Sequence, residues 1–327
     1  MHSCHRWVRA LGASLLLFSL APGFVRAAES TPISGRRTLV LGDSITQDGR
    51  YVSFLEYYLH RLSPGPASDL ISIGLSSETV SGLSEPGHPF PRPCLFTRLT
   101  DALGKVKPAV VLACYGMNDG IYLPPSPERL GAFTTGLDQL TQKVKEAGAT
   151  LILITPPVFD PVPIAAKLAK PAEPAGGYQA PYARYDEVLA EFAQAGLKRR
   201  DQGITVIDLH QAMSAELATR RATQPAFTFS PDGIHPNDLG HLLIARTVAR
   251  GLGLTPPEAT LEAELARIQA DPLFARVAER RALRSEAWLS FVGYNRGGAF
   301  KSGSIKAAEA VAVRLQSEIE TLARRAP

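Results

Sequence analysis

Short, nearly continuous apolar runs recur along the first two thirds of the chain, at residues 37–41, 70–73, 109–113, 150–154 and 204–207. They are rich in Val, Ile and Leu and of strand length, which predicts strands buried on both faces. Between them lie longer stretches with helical periodicity. The clearest carries Leu130, Phe133, Leu137, Leu140 and Val144 at spacings of 3, 4, 3 and 4, which places them on one helix face. Gly148 closes that helix. Strands alternating with helices predict a three-layer α/β/α domain around a five-stranded parallel sheet, as in flavodoxin-like folds. In such sheets ligands bind beyond the carboxyl ends of the strands.

Two segments break the pattern. Residues 82–93 hold Pro86, Pro89, Pro91 and Pro93, and residues 156–181 are also proline-rich. Both follow strands, so both are expected on the crevice side. After Gly253 the pattern changes again. Thr255-Pro256-Pro257 interrupts the chain, and residues 258–292 and 305–325 carry helical apolar stripes joined by a glycine-rich connector at 295–303. The expected organisation is a main domain at 28–254 and a helical C-terminal extension at 255–327, an α-hairpin serving packing or oligomerisation. Arg296, Lys301 and Lys306 on and beside the connector read as a solvated basic surface.

The first residues stand apart from this pattern. Arg6 and Arg9 precede a short apolar run at 11–20, and small residues lead to Ala27. Residues 1–27 thus read as a secretory signal peptide, and the run is too short to span a bilayer. The chain carries 35 Lys+Arg against 31 Asp+Glu, but three of the arginines and none of the acids lie in this segment. The remainder is close to neutral, which removes the case for nucleic acid or an anionic membrane as partner. Cys94 and Cys114 could pair in an oxidising compartment, or Cys114 could be a small buried hydrophobe.

The candidate chemistry sits at strand ends. Gly42-Asp43-Ser44 follows the first strand and precedes a helix expected near Tyr51. Gly116-Met117-Asn118-Asp119 follows the third strand, after Tyr115, and puts a carboxamide at the same sheet edge. Asp232-Gly233-Ile234-His235 precedes the last helix of the main domain. A histidine can take and return a hydroxyl proton, and a carboxylate three residues earlier can hold its ring. No HExxH and no cysteine cluster points to a metal, so no cofactor is expected.

These three blocks, in this order and each after a predicted strand, resemble the SGNH (GDSL) hydrolase superfamily over residues 37–252. The longer wording around Ser76 to Leu83 and Tyr115 to Tyr122 is similar to bacterial secreted GDSL-like lipases/acylhydrolases. The resemblance implies Ser44 as nucleophile, His235 as general base and then acid, and Asp232 as its orienting partner. It also implies oxyanion donors at Ser44 N–H, Asn118 and one further backbone N–H. That third donor is ordinarily a glycine, but Ser77 stands in its register and Gly74 lies three residues earlier, so both remain candidates. Asp43, Tyr115 and Arg92 are further candidates for substrate contact, Arg92 through a substrate carboxylate.

What the resemblance implies is ester hydrolysis through an acyl-enzyme, with a small acyl group on a carbohydrate as the first substrate class. Lipase or thioesterase activity, or transfer to another acceptor, would use the same residues. A catalytically silent carbohydrate-binding protein on the same scaffold is the reading from another class.

Overall fold

The protein is described by a computed structural model over residues 1–2, 30–170 and 176–325; nearly all of the expected signal peptide lies outside these described residues. The five expected strands form one parallel sheet. They are β1 (Arg37–Gly42), β2 (Asp69–Ser72), β3 (Val110–Cys114), β4 (Thr150–Ile154) and β5 (Thr205–Ile207), in spatial order β2-β1-β3-β4-β5. Leu39, Val40, Leu41, Val111, Leu112 and Ile152 are buried in its centre, as strands covered on both faces require. Cys94 and Cys114 are not bridged. The Cys114 thiol ends β3 and lies 3.7 Å from the Thr155 carbonyl, so it behaves as a small interior side chain.

The main-domain helices are α1 (Ser44–Asp48), α2 (Arg50–Leu62), α3 (Leu99–Val106), α4 (Pro127–Glu146), α5 (Tyr185–Leu197), α6 (Leu209–Arg221) and α7 (Asp238–Gly251). Helix α4 begins at Pro127 behind a Ser126 cap and buries Phe133, Leu137, Leu140 and Val144, the stripe read from the sequence. Phe133 stacks on Phe192 of α5 at 4.3 Å. Helices α2 and α7 pack on one another, as do α4 and α5.

Beyond Gly253 come α8 (Leu261–Ala270), α9 (Pro272–Val292) and α10 (Lys306–Ala323). The first helix expected there is two. Asp271 is extended before Pro272 and caps α9 through Leu273 N–H, because a residue preceding proline is driven out of the helical region. The expected loop at 295–303 is instead largely a two-stranded hairpin, β6 (Tyr294–Arg296) and β7 (Ala299–Lys301). Its turn is Gly297-Gly298, both with positive φ (69° and 88°), the conformation a tight hairpin of this hand demands. Helix α9 docks on α2 and on β2, which covers an exposed sheet edge. Phe274 stacks on Phe54 at 4.7 Å, and Arg280 pairs with Glu56 at 2.8 Å. Arg284 reaches Asp69 at 2.8 Å and Glu309 at 3.0 Å.

Candidate active site

The loops after β1, β2, β3 and β4 and the turn before α7 meet at one edge of the sheet. After β1, Asp43 is buried and its Oδ1 accepts from Ile45 N–H at 3.0 Å. That cap starts α1 at Ser44, two residues past the strand, earlier than the helix expected near Tyr51. Burial pushes the Asp43 carboxyl up to about 7 against the opposing pull of its hydrogen bond and of His235. Asp43 therefore shapes the turn and does not reach the pocket, which corrects its expected substrate contact.

Before α7, Asp232 performs two tasks at once. Its Oδ1 accepts from the backbone N–H of Ile234 (3.0 Å) and His235 (2.7 Å), folding the turn. Its Oδ2 lies 2.7 Å from His235 Nδ1. The other ring nitrogen, Nε2, is 2.8 Å from Ser44 Oγ. Burial works to raise the Asp232 carboxyl, but the hydrogen bonds from the His235 ring and the two N–H groups prevail and bring it to about 2. It is ionised at neutral pH, so Nδ1 carries the proton and Nε2 is free to accept from the serine hydroxyl. The hydrogen bond to Asp232, opposed by partial burial, raises the His235 pKa.

Asn118 is held by its oxygen. Its Oδ1 accepts from Arg92 Nη1 at 2.9 Å and from the Tyr122 hydroxyl at 3.1 Å, and its Nδ2 donates to the Glu78 carbonyl at 3.4 Å, which fixes the amide and leaves the second Nδ2 hydrogen as donor. Arg92 is itself buried, bound through two nitrogens to Glu85 at 2.6 Å each and set over the Tyr122 ring. The expectation that Arg92 grips a substrate carboxylate is corrected: its charge is already matched by Glu85, and it acts on Asn118. Tyr115 is corrected likewise. Its hydroxyl donates to Glu78 inside the core at 2.6 Å, where Glu78 also pairs with Arg98.

Ser77 and Gly74 differ in position. Ser77 lines the cavity that holds Ser44, Asn118 and His235. Its φ of 68° is the left-handed region that favours glycine, as its register suggested. Its N–H has no partner among the described residues. Gly74 faces a different cavity, between α1 and α9. Its hydrogen-only side is needed for packing, since a Cβ there would lie 2.3 Å from Gln47 N.

The Ser44 cavity has a volume of about 230 Å³ and is walled by the two proline-rich segments, with His88 and Phe90 from the first and Tyr178 from the second. Among the described residues no three His, Cys, Asp or Glu side chains converge as metal ligands would.

The profile of the GDSL-like lipase/acylhydrolase family matches residues 40–243, more than half of the chain. The chain belongs to this family. No curated protein matches the chain. Among solved structures, two catalytic mutants of Axe2, an acetylxylan esterase from Geobacillus stearothermophilus, align at 20% identity and a TM-score of 0.50, covering 70% of this chain and 98% of theirs. LAE5, an alpha/beta hydrolase enzyme from the metagenome of Lake Arreo, Spain, aligns at 24% identity and a TM-score of 0.47, covering 67% and 96%. At these identities the likeness is one of fold. The GDSL-family match ends inside α7, so α8 to α10 and the hairpin lie beyond it.

One residue of this GDSL hydrolase's site comes from beyond that match. Arg296, at the end of β6, lines the Ser44 cavity, with its guanidinium 4.9 Å from the centre of the Phe90 ring. The sequence offered only glycines beside a basic residue, which reads as an exposed loop. Tyr122 also lines the pocket, while His88, which has no evident partner in the sequence, stacks edge-on against Phe90 at 4.6 Å and tilts against Tyr178 at 5.2 Å.

Proposed function

We propose that the protein is a serine esterase that removes a small acyl group, acetyl foremost, from a carbohydrate by way of an acyl-enzyme. The observation that carries this reading is the unbroken chain Ser44 Oγ, His235 and Asp232, with links of 2.8 and 2.7 Å, at the edge of an open cavity. In it, Ser44 attacks the ester carbonyl while His235 Nε2 takes the hydroxyl proton. The carbonyl oxygen becomes an oxyanion that receives the N–H groups of Ser44 and Ser77 and the Nδ2 of Asn118. His235 then returns the proton to the leaving alcohol, and water repeats the sequence to release the acid.

Two features support a small acyl group on a sugar. The cavity that joins Ser44 to Asn118 is small, about 230 Å³, and a second of about 340 Å³ adjoins it at Ser44, Ser76 and His235, so acyl group and sugar have separate space. The smaller one is lined by rings and hydroxyls, a mixture that suits the apolar faces and polar edges of a sugar. Acetylxylan esterase is also the activity named for the Geobacillus structures that share this fold. A panel of acetylated xylo-oligosaccharides and p-nitrophenyl esters of rising chain length tests the reading, with Ser44→Ala as control. The expected profile is highest kcat/KM for acetyl and a loss of activity to background in the variant. Undiminished turnover by the variant, or a preference for long acyl chains, refutes it.

The same reading places the mature protein outside the cytoplasm, supported by the basic start, short apolar run and small residues of segment 1–27. Mass spectrometry of the exported protein should find an N-terminus close to Ala28.

A further inference from the structure

We propose that the C-terminal hairpin makes this enzyme selective for esters on an anionic glycan, whose charge, a carboxylate or a sulfate, is received by Arg296. The inference rests on the esterase reading above, because it concerns the alcohol part of that ester.

Four observations carry it. Arg296 lines the same cavity as Ser44, so a sugar whose ester sits at the serine lies within its reach. Its partner there is a ring, with the guanidinium 4.9 Å from the centre of Phe90, and among the described residues it has no carboxylate partner. The other guanidinium of the cavity, Arg92, is already neutralised by Glu85. That contrast matters, since two arginines line one site and only one has charge left to offer. Finally, the hairpin register pairs Tyr294 with Lys301 and Arg296 with Ala299, which puts Lys301 and Arg296 on one face. Among the described residues Lys301 has no carboxylate partner and its Nζ lies 6.0 Å from the Tyr294 ring, so a second unmatched cation sits on the same hairpin.

The hairpin that carries Arg296 is anchored to α9. The Gly297-Gly298 turn closes the hairpin tightly, and Gly303 N–H ties its exit to Ser290 of α9 at 2.7 Å. Helix α9 is held to α2 by Arg280 and to β2 by Arg284. An arginine stacked on a ring keeps its plane and in-plane donors oriented, and so can bind an oxyanion through two N–H groups.

The test uses three acetylated sugars of one shape: an acetylated methyl glucuronoside, its neutral methyl ester, and an acetylated methyl glucoside 6-sulfate. For the full chain, kcat/KM should favour one or both charged sugars over the neutral one, and the preference should shrink as salt rises. Arg296→Ala should reduce the charged-to-neutral ratio at least about five-fold, and Arg296→Lys should restore part of it. A ratio that stays within two-fold of wild type in Arg296→Ala, or a wild type without preference for either anion, overturns the proposal. A second measurement separates this from failure of the esterase reading. Binding of unacetylated methyl glucuronoside, followed by NMR titration, needs no ester cleavage. It should weaken in Arg296→Ala, and equal binding by both proteins overturns the anion subsite whatever the enzyme hydrolyses.

Discussion

At the residue scale, Asp232 is one side chain with two jobs. It folds the turn that carries His235 and holds the ring of the same histidine. This coupling has an opposite effect on activity and stability. His235 must be neutral to accept the Ser44 proton, and Asp232 raises its pKa above the ordinary 6.5. The acid limb of kcat/KM should therefore lie above pH 6.5. The ion pair adds to stability fully between the ordinary values of its partners, 3.8 for Asp232 and 6.5 for His235, and this contribution is lost as pH rises through the raised His235 value or falls towards the Asp232 value of about 2. Activity thus rises where that stabilisation fades. In Asp232→Asn the limb should move to lower pH and the plateau should fall between about 10²- and 10⁴-fold. A pH–rate profile checks both, and an unmoved limb contradicts the assignment.

Ser77 offers a second test at this scale. An L-residue in the left-handed region costs roughly 1–2 kcal/mol, and glycine does not pay it. Ser77→Gly keeps the N–H, so it should retain activity within a few-fold and unfold at a slightly higher temperature. A loss of 10²-fold or more would show that the Ser77 hydroxyl, not its backbone, is the group required.

Elements place these residues. The loop after β2 is pinned to the loop after β3 by Asp119, which accepts from Val80 and Ser81 N–H at 2.8 Å each. Below them the buried Glu78 links Arg98 and Tyr115. Ser77 and Asn118 are therefore set relative to one another by buried hydrogen bonds, as a site for a developing charge requires. On the far side, α9 holds the hairpin, and Arg284 bridges α9 to both β2 and α10, beside the Arg276–Glu318 pair. The Arg284 side chain is nearly fully buried while its partners are partly exposed. Arg284→Ala leaves the Glu309 carboxylate without a cation and a cavity behind it, at a cost of about 3 kcal/mol. Thermal denaturation should show a drop on the order of 5 °C for a chain of this size. A change below 2 °C would mean that the bridge is dispensable.

At the scale of the whole molecule, the C-terminal extension is part of the fold as well as of the site. Leu273, Val277, Trp288, Leu289 and Val292 of α9 are buried. Each such side chain contributes about 1.5–3 kcal/mol, so together they approach the 5–15 kcal/mol that stabilises a whole domain. Truncation after residue 254 should therefore yield an aggregating or partly unfolded chain, visible by sedimentation and near-UV circular dichroism. A soluble monomer with native spectra would show that the family domain folds without it.

Much of this was legible in the sequence because it is local or periodic. The five strands were placed within one residue by their apolar runs, since a parallel sheet buried on both faces leaves no polar alternation to confuse them. The pairing of Asp232 with His235 was legible because three residues of turn bring them together. Ser44 and Asn118 were legible as strand-end residues, since every parallel strand delivers its following loop to the same edge. Tertiary structure decided what depends on residues distant in the chain. It matched Arg92 to Glu85 and Asn118, withdrew Tyr115 and Asp43 from the pocket, and set Ser77, not Gly74, on the wall of the Ser44 cavity. It also carried Arg296 from a glycine-rich connector to a serine more than two hundred residues earlier. No periodicity or spacing encodes that last placement. It follows from the docking of α9 on α2 and β2, an accumulation of burial and ion pairs that exists only once the chain has folded.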